Sequence, residues 1–258
     1  MNRDVLTIAG INFQSRFLLG TGKFSSKAVM RETIVASGSQ IVTVALRRID
    51  VEHSEENILE FIPAGTTLLV NTSGARNAKE AVRIARLAKE AGYGNWIKIE
   101  VINDSKYLLP DNAETIRATE QLTAEDFVVL PYMAPDLYVA RALVKAGAAA
   151  VMPLGSLIGS HQGLKTQDMI QILIDEIDLP VIVDAGLGMP SHAAQAMEMG
   201  AAAALVNTAV ATAQDPVRAG RAFALAVEAG RMAYLSRLSG PRTNAEASSP
   251  LTGLLENK

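Results

Sequence analysis

Four glycines divide the chain at nearly equal intervals. Gly38, Gly92, Gly147 and Gly200 are separated by 54, 55 and 53 residues. Each stands between a helical pattern and an apolar run, in SGSQIVTV, AGYGNWIKIEV, AGAAAVMPL and MGAAAALVN. Glycine suits the left-handed position just past a helix, so each one predicts a cap leading into a strand. The interval is about two βα units, and four such doublets make eight.

The apolar runs agree. Short stretches rich in Val, Ile and Leu fall at 17–19, 41–46, 67–70, 97–102, 127–131, 150–153, 181–184 and 204–207. Strands buried on both faces of a parallel sheet have this character. Amphipathic segments separate them. The stretch 77–90, for example, sets Ala78, Ala81, Ala85 and Ala88 on one stripe and Lys and Arg on the other. The pattern predicts an α/β fold, a (β/α)8 TIM barrel. An open doubly wound sheet is the alternative, but it calls for a glycine-rich dinucleotide turn after its first strand, and Gly20-Thr21-Gly22 is too short for one. Residues 1–258 read as one domain. A short N-terminal hairpin (1–14, with Ala9-Gly10 near its turn) covers the barrel bottom, the barrel spans 15–235, and an irregular C-terminal tail spans 236–258.

Composition removes several classes of function. There is no cysteine, which excludes disulfides, thiolate nucleophiles and a persulfide relay. His53, His161 and His192 lie far apart without ligand spacing, so neither a metal nor another cofactor is expected. The formal net charge is −3 and no long basic run occurs, which argues against nucleic acid as a partner. No stretch approaches the roughly 20 apolar residues of a membrane helix, and the first residues lack the pattern of a signal peptide. The expected location is the cytoplasm.

The sharpest chemical signal is WIKIEVI (96–102). Side chains alternate across a strand, so Lys98 and Glu100 share one face and Ile97, Ile99 and Val101 the other. The apolar face should meet the helices, which points the charged pair into the barrel. Buried charges are costly unless paired or used. One reading is an inert buried ion pair. The other is an amine whose pKa burial lowers, free to attack a ketone or aldehyde and form an imine, with Glu100 moving protons beside it. Asp184, at the end of the seventh strand, supplies a second carboxylate. It reads either as a helix N-cap or as part of the site, and Pro190-Ser191 opens the following helix more naturally.

The loops after the seventh and eighth strands, Ala185-Gly186-Leu187-Gly188 and Asn207-Thr208-Ala209-Val210, occupy the places where barrels often bind phosphate. The glycine-rich stretch 153–163 is long enough to act as a lid, or is a loop without ligand contact. Arg47 and Arg48 read either as anion ligands or as solvated charges. Trp96 reads as packing, and His161 as an exposed loop residue.

Taken together, GTGKF (20–24), VTVALRR (42–48), NTSGARNAKEAVRIARLAKE (71–90), WIKIEVI (96–102), VLPYMAPD (129–136), AVMPLGSLIGSHQGL (150–164), PVIVDAGLG (180–188) and ALVNTAVA (204–211) resemble the thiazole synthase family of bacterial thiamine biosynthesis. The resemblance runs from about Phe17 to Leu254. It implies that Lys98 forms an imine with 1-deoxy-D-xylulose 5-phosphate, and that Glu100 and Asp184 act as acid and base. It also implies that Gly159, Ala185, Gly186, Asn207 and Thr208 contact the sugar phosphate. The chain departs from the family's usual PIGSG-x-G at Leu157 and His161, which bears on the conformation of the lid.

The family implies two further reactants. Sulfur arrives as the C-terminal thiocarboxylate of a small sulfur-carrier protein, which suits a chain without cysteine, and dehydroglycine comes from a separate enzyme. A homo-oligomer is expected. The tail segment 248–253 reads either as disorder or as a clasp for the carrier terminus. Other imine-forming barrels, of the pyridoxal-phosphate synthase or class I aldolase type, and a non-catalytic sugar-phosphate-binding barrel are the competing readings of the same residues.

Overall fold

The computed structural model describes residues 4–46, 58–240 and 242–249. Arg47, Arg48 and the tail beyond 249, on which the anion-ligand and clasp readings fall, lie outside the described residues.

The chain opens with the antiparallel hairpin β1 (Leu6–Ile8) and β2 (Ile11–Phe13), paired Leu6↔Phe13 and Ile8↔Ile11. Ala9 and Gly10 between them both have positive φ, 48° and 77°, the pair of left-handed residues that a two-residue hairpin turn needs. Eight parallel strands follow: β3 (Phe17–Gly20), β4 (Ile41–Ala45), β5 (Thr67–Asn71), β6 (Trp96–Ile99), β7 (Val128–Met133), β8 (Met152–Pro153), β9 (Ile182–Val183) and β10 (Ala203–Val206). Their order is β8-β7-β6-β5-β4-β3-β10-β9. The ends of that list meet through the parallel bridges Val151↔Val181 and Leu154↔Asp184, which close the sheet into a barrel. The expected (β/α)8 architecture is therefore the one observed.

The helices are α1 (Lys27–Ser37), α2 (Ala78–Glu90), α3 (Asn112–Thr123), α4 (Leu137–Lys145), α5 (Gln167–Glu176), α6 (Pro190–Glu198), the single turn α7 (Thr208–Ala211) and α8 (Pro216–Leu235). Ser26, Asn77, Asp111, Asp136 and Asp215 cap five of them, each side chain accepting a backbone N–H of the first turn. The four spaced glycines end α1, α2, α4 and α6 with φ of 65°, 84°, 87° and 101°. The regularity seen in the sequence is thus a repeated helix stop. Among the described residues no helix is long and apolar enough to cross a membrane.

Strand alternation sorts the side chains into two cores. Phe17, Leu19, Val42, Val44, Val183 and Val206 face outward and pack with residues of α1, α6 and α8, including Ile34, Ala196 and Phe223. Leu18, Ile41, Leu69, Trp96, Leu130, Met152, Ile182 and Leu205 face inward and form a floor, closed from below by Leu6, Ile8 and Phe13 of the hairpin. Trp96 packs edge-on against Phe13, with ring centroids 5.7 Å apart. Two residues further along the strands stand Gly20, Thr43, Asn71, Lys98, Tyr132, Leu154, Asp184 and Asn207. The period of two therefore carries the interior from an apolar floor to a largely polar storey in one step.

The bottom of the barrel is held by a buried charge. Arg16 is 9% exposed, and its guanidinium donates to the Ala202 carbonyl at 2.7 Å and to Asp4 Oδ1 at 2.9 Å. Arg231 of α8 grips the same carboxylate through two bonds, at 2.8 and 2.9 Å. Asp4 thus joins the entering chain to the first strand and the last helix, and it neutralises Arg16 where water cannot. Asp4→Ala should lower the unfolding free energy by about 1–3 kcal/mol, because it leaves a largely buried guanidinium with only a carbonyl partner. Urea denaturation followed by circular dichroism checks this, and a loss below about 0.5 kcal/mol would mean that the cluster is no more than an exposed surface pair.

Candidate active site

The polar storey opens into a cavity of about 730 Å³ at the C-terminal ends of the strands. Its lining includes Thr43, Asn71, Lys98, Glu100 and Asp184 at the base and Gly159, Ala185, Gly186, Asn207 and Thr208 on one side. Every site residue expected from the sequence lines this one cavity.

Lys98 lies on β6, in register with Asn71 on one side and Leu130 on the other. It is 6% exposed, and its ammonium sits 2.5 Å from Asp184 Oδ2 and 3.7 Å from Glu100 Oε2. Burial alone would lower the ammonium pKa. The negative charges of Asp184 and then Glu100 outweigh it and hold the pKa above the ordinary lysine value. This corrects the expectation of a free amine: two carboxylates in a dry pocket favour the ammonium more than burial opposes it.

Asp184 does not cap a helix. Met189 is the N-cap residue of α6, and Asp184 ends its strand with its backbone in the closing bridge to Leu154. Its Oδ1 accepts the N–H of Ala185 at 2.7 Å, which leaves Oδ2 toward Lys98. The Ala185 amide therefore orients this carboxylate. Ala185 and Gly186 both have positive φ, 56° and 77°. A side chain at Gly186 would overlap Ser156, so glycine is needed there for two loops to pack as well as for backbone conformation.

The stretch 153–163 folds back over this turn. Gly155 N–H donates to the Asp184 carbonyl at 2.8 Å, and Gly163 N–H to the Gly186 carbonyl at 2.9 Å. His161 adopts a left-handed φ of 59°, the conformation glycine would take there, and its backbone lies against Gly188. His161 is exposed at the cavity rim, as expected of a loop histidine.

Two neighbours escaped the sequence reading. Tyr132 is fully buried, its ring centroid 5.3 Å from the Lys98 ammonium, and its hydroxyl has no hydrogen-bond partner among the described residues. Burial, then the charges of Asp184 and Glu100, push its pKa up, so the phenol stays neutral and favours a cation beside its ring. Alternation along β7 from the apolar Leu130 was the available signal. Thr72 is the second. Its hydroxyl donates to the Glu100 carbonyl at 3.0 Å and accepts the Glu100 N–H at 2.8 Å. It carries the backbone of Glu100 just where the β6 ladder ends, and nothing in the sequence marks it.

Among the described residues no three His, Cys, Asp or Glu side chains cluster as a metal site requires. The chemistry on offer is that of an amine, two carboxylates and a wall of small polar residues.

Comparison with known proteins shows the family. Residues 7–250 match the family described as thiazole biosynthesis protein ThiG. A thiazole synthase of Pelotomaculum thermopropionicum is 65% identical over 98% of this chain and 99% of its own length. One of Moorella thermoacetica is 64% identical over 98% and 99%. Among solved structures, the Amycolatopsis orientalis BexX/CysO complex superposes with a TM-score of 0.81 at 33% identity, covering 94% of this chain and 98% of the other. Mandelate oxidase, at 19% identity and a TM-score of 0.63, shares the fold alone. The chain belongs to the ThiG family of thiazole biosynthesis proteins.

Proposed function

We propose that this barrel condenses 1-deoxy-D-xylulose 5-phosphate, dehydroglycine and sulfur from a carrier-protein thiocarboxylate into the thiazole phosphate carboxylate of thiamine biosynthesis, through an imine at Lys98. The observation that carries this reading is the buried Lys98–Asp184–Glu100 cluster at the base of the cavity, with contacts of 2.5 and 3.7 Å, in a chain of this family.

The geometry divides the work. Asp184 lies against the ammonium and is placed to take its proton, which frees the amine to add to the sugar ketone. The proton that Asp184 has taken is the one returned to the carbinolamine hydroxyl as water leaves, and Glu100, further up the strand and 13% exposed, faces the cavity beside it as the second carboxylate able to carry that proton. The same two carboxylates then move the protons that shift the carbonyl along the sugar. Sulfur adds there, the carrier carboxylate and water depart, and dehydroglycine closes the ring. Gly159, Ala185, Gly186, Asn207 and Thr208 surround the phosphate end.

A protein donor suits this chain, which has no thiol with which to relay sulfur. A relative crystallised as the BexX/CysO complex adds support for a protein partner. Leu225, Met232 and Leu235 stand exposed on α8, which favours a homo-oligomer, and the cytoplasm is the location that fits the reaction.

Reduction with cyanoborohydride in the presence of 1-deoxy-D-xylulose 5-phosphate should attach the sugar to a peptide containing Lys98, and Lys98→Ala should abolish labelling. Label on another lysine overturns the assignment. Ribose 5-phosphate as an equal or better partner would favour the pyridoxal-phosphate synthase reading.

The pH dependence of trapping follows from the charges. Asp184→Asn removes the main force raising the Lys98 pKa and leaves the burial that lowers it. The trapping profile of this variant should shift to lower pH while thiazole formation falls. A profile unmoved from wild type would separate Asp184 from the Lys98 proton.

Thr72→Val should lower thiazole formation about tenfold, since it strips both backbone groups of Glu100 of their partner at a cost of about 1–3 kcal/mol. Because Lys98 keeps its own ladder contacts, imine trapping should be far less affected. Equal losses in both assays would show a general folding defect.

A further inference from the structure

The motif GTGKF at the end of β3 is only partly used by the site described above. Gly20 lets Asn207 approach, since a Cβ there would stand 2.7 Å from the Asn207 side-chain carbonyl carbon. Lys23 has no assigned role. Its backbone φ is 69°, a left-handed conformation that a lysine adopts only at a cost. Its side chain lines the cavity, and its ammonium lies 3.8 Å from the point where a Cβ on Gly159 would stand. Thr208 Oγ1 lies 3.8 Å from the same point. The ammonium therefore sits between the folded-back loop and the turn after β10. No carboxylate pairs with it among the described residues.

The charge balance of the cavity gives this position its meaning. Among the described residues, the carboxylates lining it are Glu100 and Asp184, and the Lys98 ammonium is held between them. Among the described residues, the remaining lining cations are Lys23 and Arg76. Arg76 belongs to the loop after β5, while Lys23 stands beside Gly159 and Thr208. A phosphomonoester carries between one and two negative charges near neutral pH. Small residues and backbone groups supply dipoles for such an anion but no compensating charge.

We propose that Lys23 is the cation that binds the substrate phosphate, closing the loop around Gly159 onto the turn at Thr208 through that phosphate. The inference rests on the sugar-phosphate reading of the cavity and adds to it the residue that selects phosphorylated over unphosphorylated sugar. A strained backbone at position 23 is then retained because it aims the ammonium across the cavity wall.

The test compares 1-deoxy-D-xylulose 5-phosphate with 1-deoxy-D-xylulose in reductive trapping at Lys98, over a range of sugar and salt concentrations. Lys23→Met should weaken half-saturation by the phosphorylated sugar about 10- to 100-fold, the scale of a charge-assisted hydrogen bond. It should leave the unphosphorylated sugar unchanged and flatten the dependence on salt. Lys23→Arg should restore most of the affinity. Lys23→Gly should lose affinity like Lys23→Met while keeping or raising the melting temperature, because glycine accepts the left-handed conformation. An unaltered preference for the phosphorylated sugar in Lys23→Met, or equal weakening toward both sugars, overturns the proposal. Calorimetric titration of wild type and Lys23→Met with inorganic phosphate keeps the two readings apart. If wild type forms no imine yet binds phosphate in a Lys23-dependent manner, the imine reading fails and this one stands. If phosphate binds both proteins equally, this one fails alone.

Discussion

Inside the barrel, an ammonium on β6 meets a carboxylate at the end of β9 at 2.5 Å, with two strands between them in the sheet. This contact exists only because the sheet closes. It is also what makes closure tolerable, since a lone charge at that depth would cost several kcal/mol. The surroundings follow from it. Ala185 turns its N–H to one oxygen of Asp184 so that the other faces the lysine. Thr72 takes up the backbone of Glu100 so that the second carboxylate can leave the ladder without orphaned groups. Tyr132 lays an aromatic ring beside the cation.

The same contact sets the terms of the chemistry. Paired carboxylates hold Lys98 as an ammonium, which cannot attack a carbonyl until it gives up its proton. The partner that stabilises the resting charge is also the nearest base, so in the proposed reaction storage and activation of the amine belong to one geometry. The apolar floor below adds to this. Leu18, Leu69, Leu130 and Ile182 exclude water from beneath the cluster, and a dry base strengthens each electrostatic contact above it.

The architecture was legible in the sequence because its signals are local. A helix stop at each spaced glycine needs only the conformational freedom of that residue. The placement of Lys98 and Glu100 on one face needs only the period of a strand. The Ala78–Glu90 helix appeared where its alanine stripe required, with Asn77 as its cap. Asp184 and the loops at Gly186 and Asn207 were placed partly by their position after late strands and partly by family resemblance.

What the sequence by itself determined was the set of elements, their inward and outward faces, and the amine and carboxylates that face inward. The tertiary structure alone decided how those charges balance. Whether Lys98 is a free amine or an ammonium depends on its distance to Asp184, 86 residues away in the chain. Burial and opposite charge act on it with opposing signs, and no local pattern states which prevails. Thr72 was hidden for the same reason, since it acts through space on a residue of another strand, while alternation along β7 put Tyr132 inside without stating what it meets there. Barrel closure brings these groups together, and electrostatic energy depends on that separation rather than on position along the chain.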